Sequence, residues 1–544
     1  MTEKRQILRS AWVISVFTVA SRICGYLRDQ RITLLLGTSG IADSFILAFR
    51  IPNLLRRLIG EGSLAACFIP VFSGYLKHKT KEEAWTFANR IFWTAAVVLA
   101  GVALLGSVFS RQVIYLFTIF GGSNGQWDQA VFLNRIMFPY AFLIGMAALA
   151  MAILNSLNVF GLPASTSVLF NLSVILFSFA AIYRPVMKWA PEHYRNPAVA
   201  LAAGVLVGGA LQVLVQIPAM YRRGMRFTFD LSFTDPGVRR VAVLMVPGLV
   251  GVGIAQINFF VDTIFATSAR MPSGSITALY VADRVMELVL GSYAIAVATA
   301  ILPLMSRQAS ANDLQGLKET LAFAVRIVSF ITIPAALGLM VLRGPIVSVL
   351  FEHGRFTAES TQLTAHALLY YAAGLPAFAG VKLIVPAFYS QQDMRTPVLA
   401  AGGSLAANVI LNLLFLRLLF GILGNGSPAL ASSLACYFNF FLLFFILRAR
   451  VGGLGARRVF ASLLKVGIST VVMGAACYAM LHFLTAGGGR PFVIRSAELS
   501  AVIGGAIAVF LGASWLLRCE EIHEVIAILR HRRTEPEVQI LLEG

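Results

Sequence analysis

The side chains with the strongest chemical demands are ionisable groups set inside apolar stretches. One stretch carries Arg22, Arg28, Asp29 and Arg31. The next carries Asp43, Arg50, Arg56, Arg57 and Glu61, and a distant third carries Asp283, Arg284 and Glu287. A charge at the centre of a bilayer costs about 2.5–3.5 kcal/mol on insertion scales. The six arginines of the first two stretches, left unrelieved, would cost on the order of 15–20 kcal/mol, more than the net stability of most folds. They must therefore face water, carboxylates or an anionic ligand. Glu61 follows Arg57 by four residues and Glu287 follows Arg284 by three, so each pair shares a helix face. A cationic surplus still remains over Asp29, Asp43 and Glu61, and a water-filled, net-positive cavity is the simplest way to hold it. Guanidinium groups bind phosphate in bidentate fashion, which suits a pyrophosphate better than a carboxylate. Pro52 and Asn53, and the glycines flanking Glu61, are breakers that can expose backbone amides at a cavity wall. Arg31, Arg50 and Arg57 fit snorkelling or plain ion pairing equally well. That reading is weaker for Arg22, Arg28, Arg56 and Arg284.

A second polar group comprises Asp262 with Asn408 and Asn412, the asparagines at i, i+4. Oxygen ligands on facing helices could hold sodium, but one carboxylate makes a weak site, and asparagines bridging helices by hydrogen bonds are favoured. Other chemistry is missing from the sequence. There is no phosphate-cradling G-x-x-x-x-G-K-[ST] and no G-x-S-x-G, and the His523–Glu524 start of a zinc motif fails at Ala527. The seven histidines are dispersed, and the five cysteines form no CxxC pair, so they read as reduced small hydrophobes. No organic cofactor is expected.

The elements that must position these residues follow from composition. The chain has 544 residues, 58% of them hydrophobic and 13% charged, with a mean hydropathy of +0.79. This excludes a soluble enzyme, a disordered chain and a disulfide scaffold. The net charge of +19 reads as cationic loops on the cytoplasmic side of a membrane protein, with no nucleic-acid partner. Fourteen stretches approach the length needed to span a bilayer, near 11–36, 41–72, 91–119, 131–157, 163–183, 198–220, 240–268, 275–304, 322–343, 362–389, 397–420, 428–447, 459–484 and 497–517. Lys and Arg cluster before the first, between the second and third, between the sixth and seventh, and after the twelfth and fourteenth, which puts both termini in the cytoplasm. Arg22 and Arg28 interrupt the first apolar run, so it is not a cleavable signal peptide. Ile522, Val525, Ile526 and Leu529, followed by Arg530–Arg533, suggest an amphipathic helix on the anionic leaflet.

A weak internal repeat runs through the chain. LeuAsnSerLeuAsnValPheGlyLeuPro ending at Pro163 resembles PheTyrSerGlnGlnAspMetArgThrPro ending at Pro397, and AlaAsp at 42–43 pairs with AlaAsp at 282–283. The expected architecture is an all-α polytopic membrane protein. It has an N-terminal lobe of helices 1–6 (1–221), a related C-terminal lobe of helices 7–12 (222–450), helices 13–14 (451–518) and a cytoplasmic tail (519–544). Repeated bundles in transporters place the substrate between the copies.

Several blocks resemble the MurJ (MviN-type) lipid II flippases of the multidrug/oligosaccharidyl-lipid/polysaccharide exporter superfamily. They are SerArgIleCysGlyTyrLeuArgAsp at 21–29, PheArgIleProAsnLeuLeuArgArgLeuIleGlyGluGly at 49–62, AlaAspArgValMetGlu at 282–287 and PheGluHisGlyArgPheThr at 351–357. The resemblance runs from about residue 8 to 450. It implies two six-helix lobes, with helices 13 and 14 forming a groove for a lipid tail. It implies export of lipid II, the undecaprenyl-pyrophosphate-linked peptidoglycan precursor, across the bacterial inner membrane; the expected partners are this substrate and membrane lipids, with the chain working as a monomer. The family's essential arginines fall on Arg22, Arg28, Arg56 and Arg284, and its essential aspartate on Asp43. With Asn53, Arg57, Glu61 and Glu287 these form the expected substrate site. Some relatives bind sodium through helices 7 and 11, but Asn412 stands where a carboxylate can occur. The rival readings are a flippase for another prenyl-linked glycan, a drug exporter of the same superfamily, and a membrane enzyme acting on prenyl pyrophosphates.

Overall fold

In the computed structural model the described residues are 3–56, 58, 63–121, 127–182, 191–192, 195–453, 456–484 and 491–522. Among them the regular structure is helical throughout. The chain runs α1 (Glu3–Leu36), α2 (Gly40–Leu55), α3 (Ser63–His78), α4 (Lys81–Val108), α5 (Ser110–Phe117), α6 (Asp128–Met137), α7 (Tyr140–Ser156), α8 (Gly161–Ala180), α9 (Pro197–Leu214) and α10 (Ile217–Arg222). It continues through α11 (Pro236–Ala266), α12 (Ser275–Ser310), α13 (Leu314–Phe351), α14 (Ala358–Ser390), α15 (Arg395–Leu414), α16 (Phe420–Leu423), α17 (Ser427–Val451), α18 (Ala456–Leu484) and α19 (Phe492–Leu516). Within the described residues each expected apolar stretch coincides with helix, the third, fourth and sixth being divided between α4 and α5, α6 and α7, and α9 and α10. Among the described residues, nine stretches are long and apolar enough to cross a membrane, one of them spanning both α15 and α17.

Local sequence explains where the helices start. Ser39 accepts the Ala42 N–H at the head of α2, Thr80 and Glu83 form a reciprocal capping box on α4, and Asn196 and Asp235 cap α9 and α11, each just before a proline. These side chains satisfy amide donors that the first helical turn leaves open.

The chain divides into two compact units, Met1–Tyr280 with Phe351–Ser360, and Val281–Leu350 with Thr361–Gly544. The first unit thus holds α11 and the first turn of α12 besides the expected N-terminal helices. Its return segment, 351–360, is stitched to the end of α1: the Arg355 N–H donates to the Leu34 carbonyl at 2.9 Å and Thr38 Oγ1 to Ser360 Oγ at 2.6 Å. Gly37, at φ +62°, lies so close that a Cβ there would stand 2.4 Å from the Arg355 oxygen; only glycine fits. The core of this unit stacks Phe68, Phe72 and Phe87, with Tyr75 on Phe87 at 4.4 Å.

In the second unit α13, α18 and α19 share an apolar cluster that includes Phe330, Val466, Met473, Cys477 and Phe510. Ile522 is buried in the same cluster. The rest of the amphipathic helix expected beyond it lies outside the described residues. No disulfide joins the five cysteines.

Two helix endings, one in each unit, have the same form. After α7, the N–H groups of Leu157 and Val159 both donate to the Leu154 carbonyl, and Asn158 sits at φ +59°. After α14, the N–H groups of Gln391 and Asp393 both donate to the Phe388 carbonyl, and Gln392 sits at φ +60°. Both are left-handed helix endings, a form that Asn312 and Arg518 also give to the ends of α12 and α19. Ser173 Oγ donates to the Gly204 carbonyl at 2.9 Å, and Ser404 Oγ to the Ala435 carbonyl at 2.8 Å; both links bridge neighbouring helices.

Candidate functional site

In the first unit the charged residues of α1 form a tight node. The Arg28 guanidinium donates from Nη2 to Asp29 Oδ1 at 2.7 Å, from Nε to the same oxygen at 3.0 Å, and from Nη1 to Asn171 Oδ1 of α8 at 3.0 Å. The Tyr280 hydroxyl donates to Asp29 Oδ1 at 3.0 Å and lies 3.4 Å from Arg28 Nη2. Asn171 is held in turn by donating to the Ser21 carbonyl. The Arg28–Asp29 link is absent from helix-face reasoning, because neighbours at i, i+1 do not face one another; the guanidinium reaches it by folding back along α1. Arg22, two turns earlier, is exposed on α1.

Arg31 and Arg50 have partners that fit a structural role. Arg31 Nε donates to Ser178 Oγ at 3.1 Å, with its guanidinium 4.0 Å from the Phe179 ring centroid. Arg50 donates to the Thr263 hydroxyl and lies over the Tyr280 ring. Arg56 Nε donates to Asn53 Oδ1 at 2.7 Å, which joins two expected site residues one turn apart. Arg57 and Glu61 lie outside the described residues.

Asp43 has a geometry the sequence did not foretell. Its Oδ2 accepts the Gly274 N–H at 2.8 Å, and its Oδ1 accepts the Thr277 N–H at 2.8 Å and the Thr277 hydroxyl at 2.7 Å. A buried carboxylate on α2 thus caps the N-terminus of α12, where the helix dipole and open amides favour an anion. Gly274 sits at φ +92°, and a Cβ there would stand 2.6 Å from Thr38. The approach of the two chain segments therefore depends on glycine.

In the second unit, Arg284 Nη1 donates to Glu287 Oε2 at 2.6 Å, the expected i, i+3 pair. Asn412 Nδ2 donates to Asn408 Oδ1 at 2.8 Å, and Asn408 Nδ2 to Ser432 Oγ at 3.3 Å. The two asparagines of the candidate sodium site thus bond to each other and link α15 to α17. Asp262 is buried on α11, in the first unit.

Two further features escaped sequence reasoning. Arg326 of α13 is buried and ion-paired to Glu520 at 2.7 Å and Glu521 at 3.1 Å, and Glu521 also accepts from Ser462 of α18 at 2.7 Å. Lys382 stands half-buried within α14 in the run GlyValLysLeuIle. The insertion cost that singled out the other cations applies to Lys382 too, so its signal was present in the sequence. Glu520 and Glu521 had no such signal, because they read as the start of a solvated tail.

This arrangement of long helices, doubled turns and cations embedded in apolar segments defines a polytopic membrane transporter. A multidrug resistance MATE-family transporter of the MOP superfamily, solved inward-facing, shares the fold with a TM-score of 0.65 at 14% identity, covering 80% of this chain and 95% of that one. A lipid II flippase MurJ solved in an inward closed conformation matches with a TM-score of 0.74 at 25% identity, covering 93% and 98%. The family model described as lipid II flippase MurJ matches residues 32–497. A probable lipid II flippase MurJ of Vibrio cholerae is 33% identical over 525 residues, 95% of this chain and 97% of that one. The lipid II flippase MurJ of Burkholderia cenocepacia is 31% identical over 521 residues, covering 94% and 97%. The chain belongs to the MurJ family, whose members are transporters and not catalytic enzymes.

Proposed function

We propose that this protein flips lipid II from the inner to the outer leaflet of a bacterial cytoplasmic membrane, with both termini in the cytoplasm. The observation that carries the reading is the family match along nearly the whole chain, in which relatives named as lipid II flippases align over 95% of it. In this reading Arg22, Arg28, Arg56 and Arg284 supply guanidinium groups to the pyrophosphate, with Asn53, Arg57, Glu61 and Glu287 beside them. Asp43 works at one remove, by fixing the start of the helix that carries Arg284 and Glu287. Transport proceeds by alternating access, and a ligand can drive it only by binding the two states unequally. The prenyl tail stays in lipid while the headgroup crosses. A pyrophosphate of roughly two negative charges leaving a negative interior gains about 4–5 kcal/mol at 100 mV, enough to give the cycle a direction. The reading needs no sodium at Asp262, Asn408 and Asn412.

The test is the accessibility of lipid II at the outer face of cells depleted of their own flippases. The wild-type chain restores it and Arg284→Ala does not. Equal restoration by both, with matched membrane levels, refutes the arginine grip. Failure of the wild type, with export of a different prenyl-linked glycan or of drugs in its place, refutes the substrate.

A further inference from the structure

The linker from the end of α10 to the start of α11 is strongly positive. Arg222, Arg223 and Arg226 are exposed on it, with Arg239 and Arg240 just beyond. Its only carboxylates, Asp230 and Asp235, are both engaged by Arg90 of α4, each at 2.8 Å. The arginines are therefore not neutralised within the linker.

Large apolar side chains lie among these arginines and face outward: Tyr221, Phe229 and Phe233 are 53%, 69% and 58% exposed. The linker packs on α4. Phe227 packs edge-on against Phe92, Phe229 against Trp93, and Thr94 Oγ1 donates to the Ser232 carbonyl. Arg90 is the last charged residue of α4, and the eighteen residues after it up to Val108 carry none. At 1.5 Å per residue, the linker follows α4 for about 6 Å past that charge, into the start of its apolar run. Exposed aromatics belong at such a boundary. Guanidinium groups next to them are placed for phosphate, which they bind in bidentate fashion.

We propose that this linker is a ledge for anionic phospholipid headgroups. Its aromatic side chains seat in the edge of the bilayer, and Arg222, Arg223 and Arg226 bind the phosphates above them. The occupant is the anionic lipid of the surrounding leaflet. Charge complementarity selects it, since a zwitterionic lipid would leave the arginine cluster uncompensated. The Arg226 guanidinium, 4.6 Å from the Tyr221 ring centroid, stacks in a way that holds it in register with the ledge.

The test uses the full-length protein with a photoreactive benzoylphenylalanine at Phe233, in nanodiscs of equal phosphatidylglycerol and phosphatidylcholine. The adducts should be mainly phosphatidylglycerol, less so as salt rises. The selectivity should fall about fivefold for each arginine removed in Arg222→Gln, Arg223→Gln and Arg226→Gln. Lys77→Gln with Lys79→Gln and Lys81→Gln removes as much charge from an exposed helix end without such aromatics, and should leave the ratio unchanged. Should the triple arginine variant fail to fold, Arg226→Gln alone carries the measurement. Adducts in the bulk lipid ratio, an equal fall in the lysine variant, or adducts to protein alone would each overturn the ledge.

Discussion

Arg28 and Arg284 are the same kind of residue, on two helices that should both be too costly for a cation, yet their surroundings differ. Arg28 is 11% exposed at its side chain, against 27% for Arg284. The partners of Arg28 come from its own helix, from α8 and from Tyr280, so its node ties chain segments together. Arg284 is held by Glu287 one turn along the same helix, and this partner travels with it. A buried tie between elements such as that of Arg28 is a knot, and a more exposed pair within one helix such as Arg284–Glu287 is a grip. The partner's position in the chain separates the two roles better than the count of nearby carboxylates.

The largest effect expected from this contrast is on Arg28. Arg28→Ala leaves Asp29 buried without its cation, and breaking a buried pair from one side costs about 3–5 kcal/mol. Melting of the purified protein in detergent should fall accordingly, together with lipid II export. Arg28→Ala combined with Asp29→Ala should recover most of the stability and none of the export. Recovery of neither would mean that the node is held by something other than this pair.

Arg284→Ala should show the other pattern. A partly exposed i, i+3 pair contributes about 0–1 kcal/mol, so melting should barely move. Losing charge-assisted hydrogen bonds to a phosphate, each worth about 1.5–3 kcal/mol, should slow export by roughly 10–100-fold. If Arg28→Ala and Arg284→Ala lowered melting equally, the distinction between knot and grip would fail.

Asp43 lies between these two. Asp43→Asn keeps the shape of the cap but removes the charge and one acceptor, and the amide left without a partner costs about 1–3 kcal/mol. Hydrogen exchange should speed up at the amides of Gly274 and Thr277 before it does elsewhere in α12. Unchanged protection there, with export lost, would return Asp43 to direct contact with substrate.

Much of this was legible in the chain. Helix positions followed from apolar length, and the site helices from the cost of charge inside them. Arg284–Glu287 was readable because helical spacing makes i, i+3 partners local. Asp43 was readable as important but not as a cap, because Gly274 and Thr277 lie some 230 residues away and no local period links them. The Arg28–Asp29 pair was hidden by the rule that adjacent helical residues diverge. Arg326 with Glu521 was hidden because a tail after the last apolar stretch reads as solvated, whereas Glu521 is fully buried.

The smallest effect tests the same contrast in the doubled turn. In the first copy the turn is closed by apolar side chains, with Leu157, Val159 and Leu162 packed on the core of that unit. In the second copy Asp393 stands where Val159 does. It accepts the hydroxyl and N–H of Thr396, and Arg450 donates to it. The Thr396 bonds hold the Asp393 carboxyl below the ordinary carboxylate range against the opposing effect of burial, with a lesser contribution from the Arg450 bond and charge. A depressed carboxyl contributes stability that is complete above its unfolded pKa of about 3.9 and is lost as pH falls below that toward its folded value. The pair is partly solvated, so the contribution should stay under about 1 kcal/mol. Between pH 6 and 3 the amide protection of 391–396 should therefore decline relative to that of 157–162, whose turn has no group to titrate. Asp393→Asn should start with the lower protection and lose the pH dependence. A decline of both turns in parallel would show that acid loosens the bundle as a whole, and that the clamp on the second copy contributes nothing of its own.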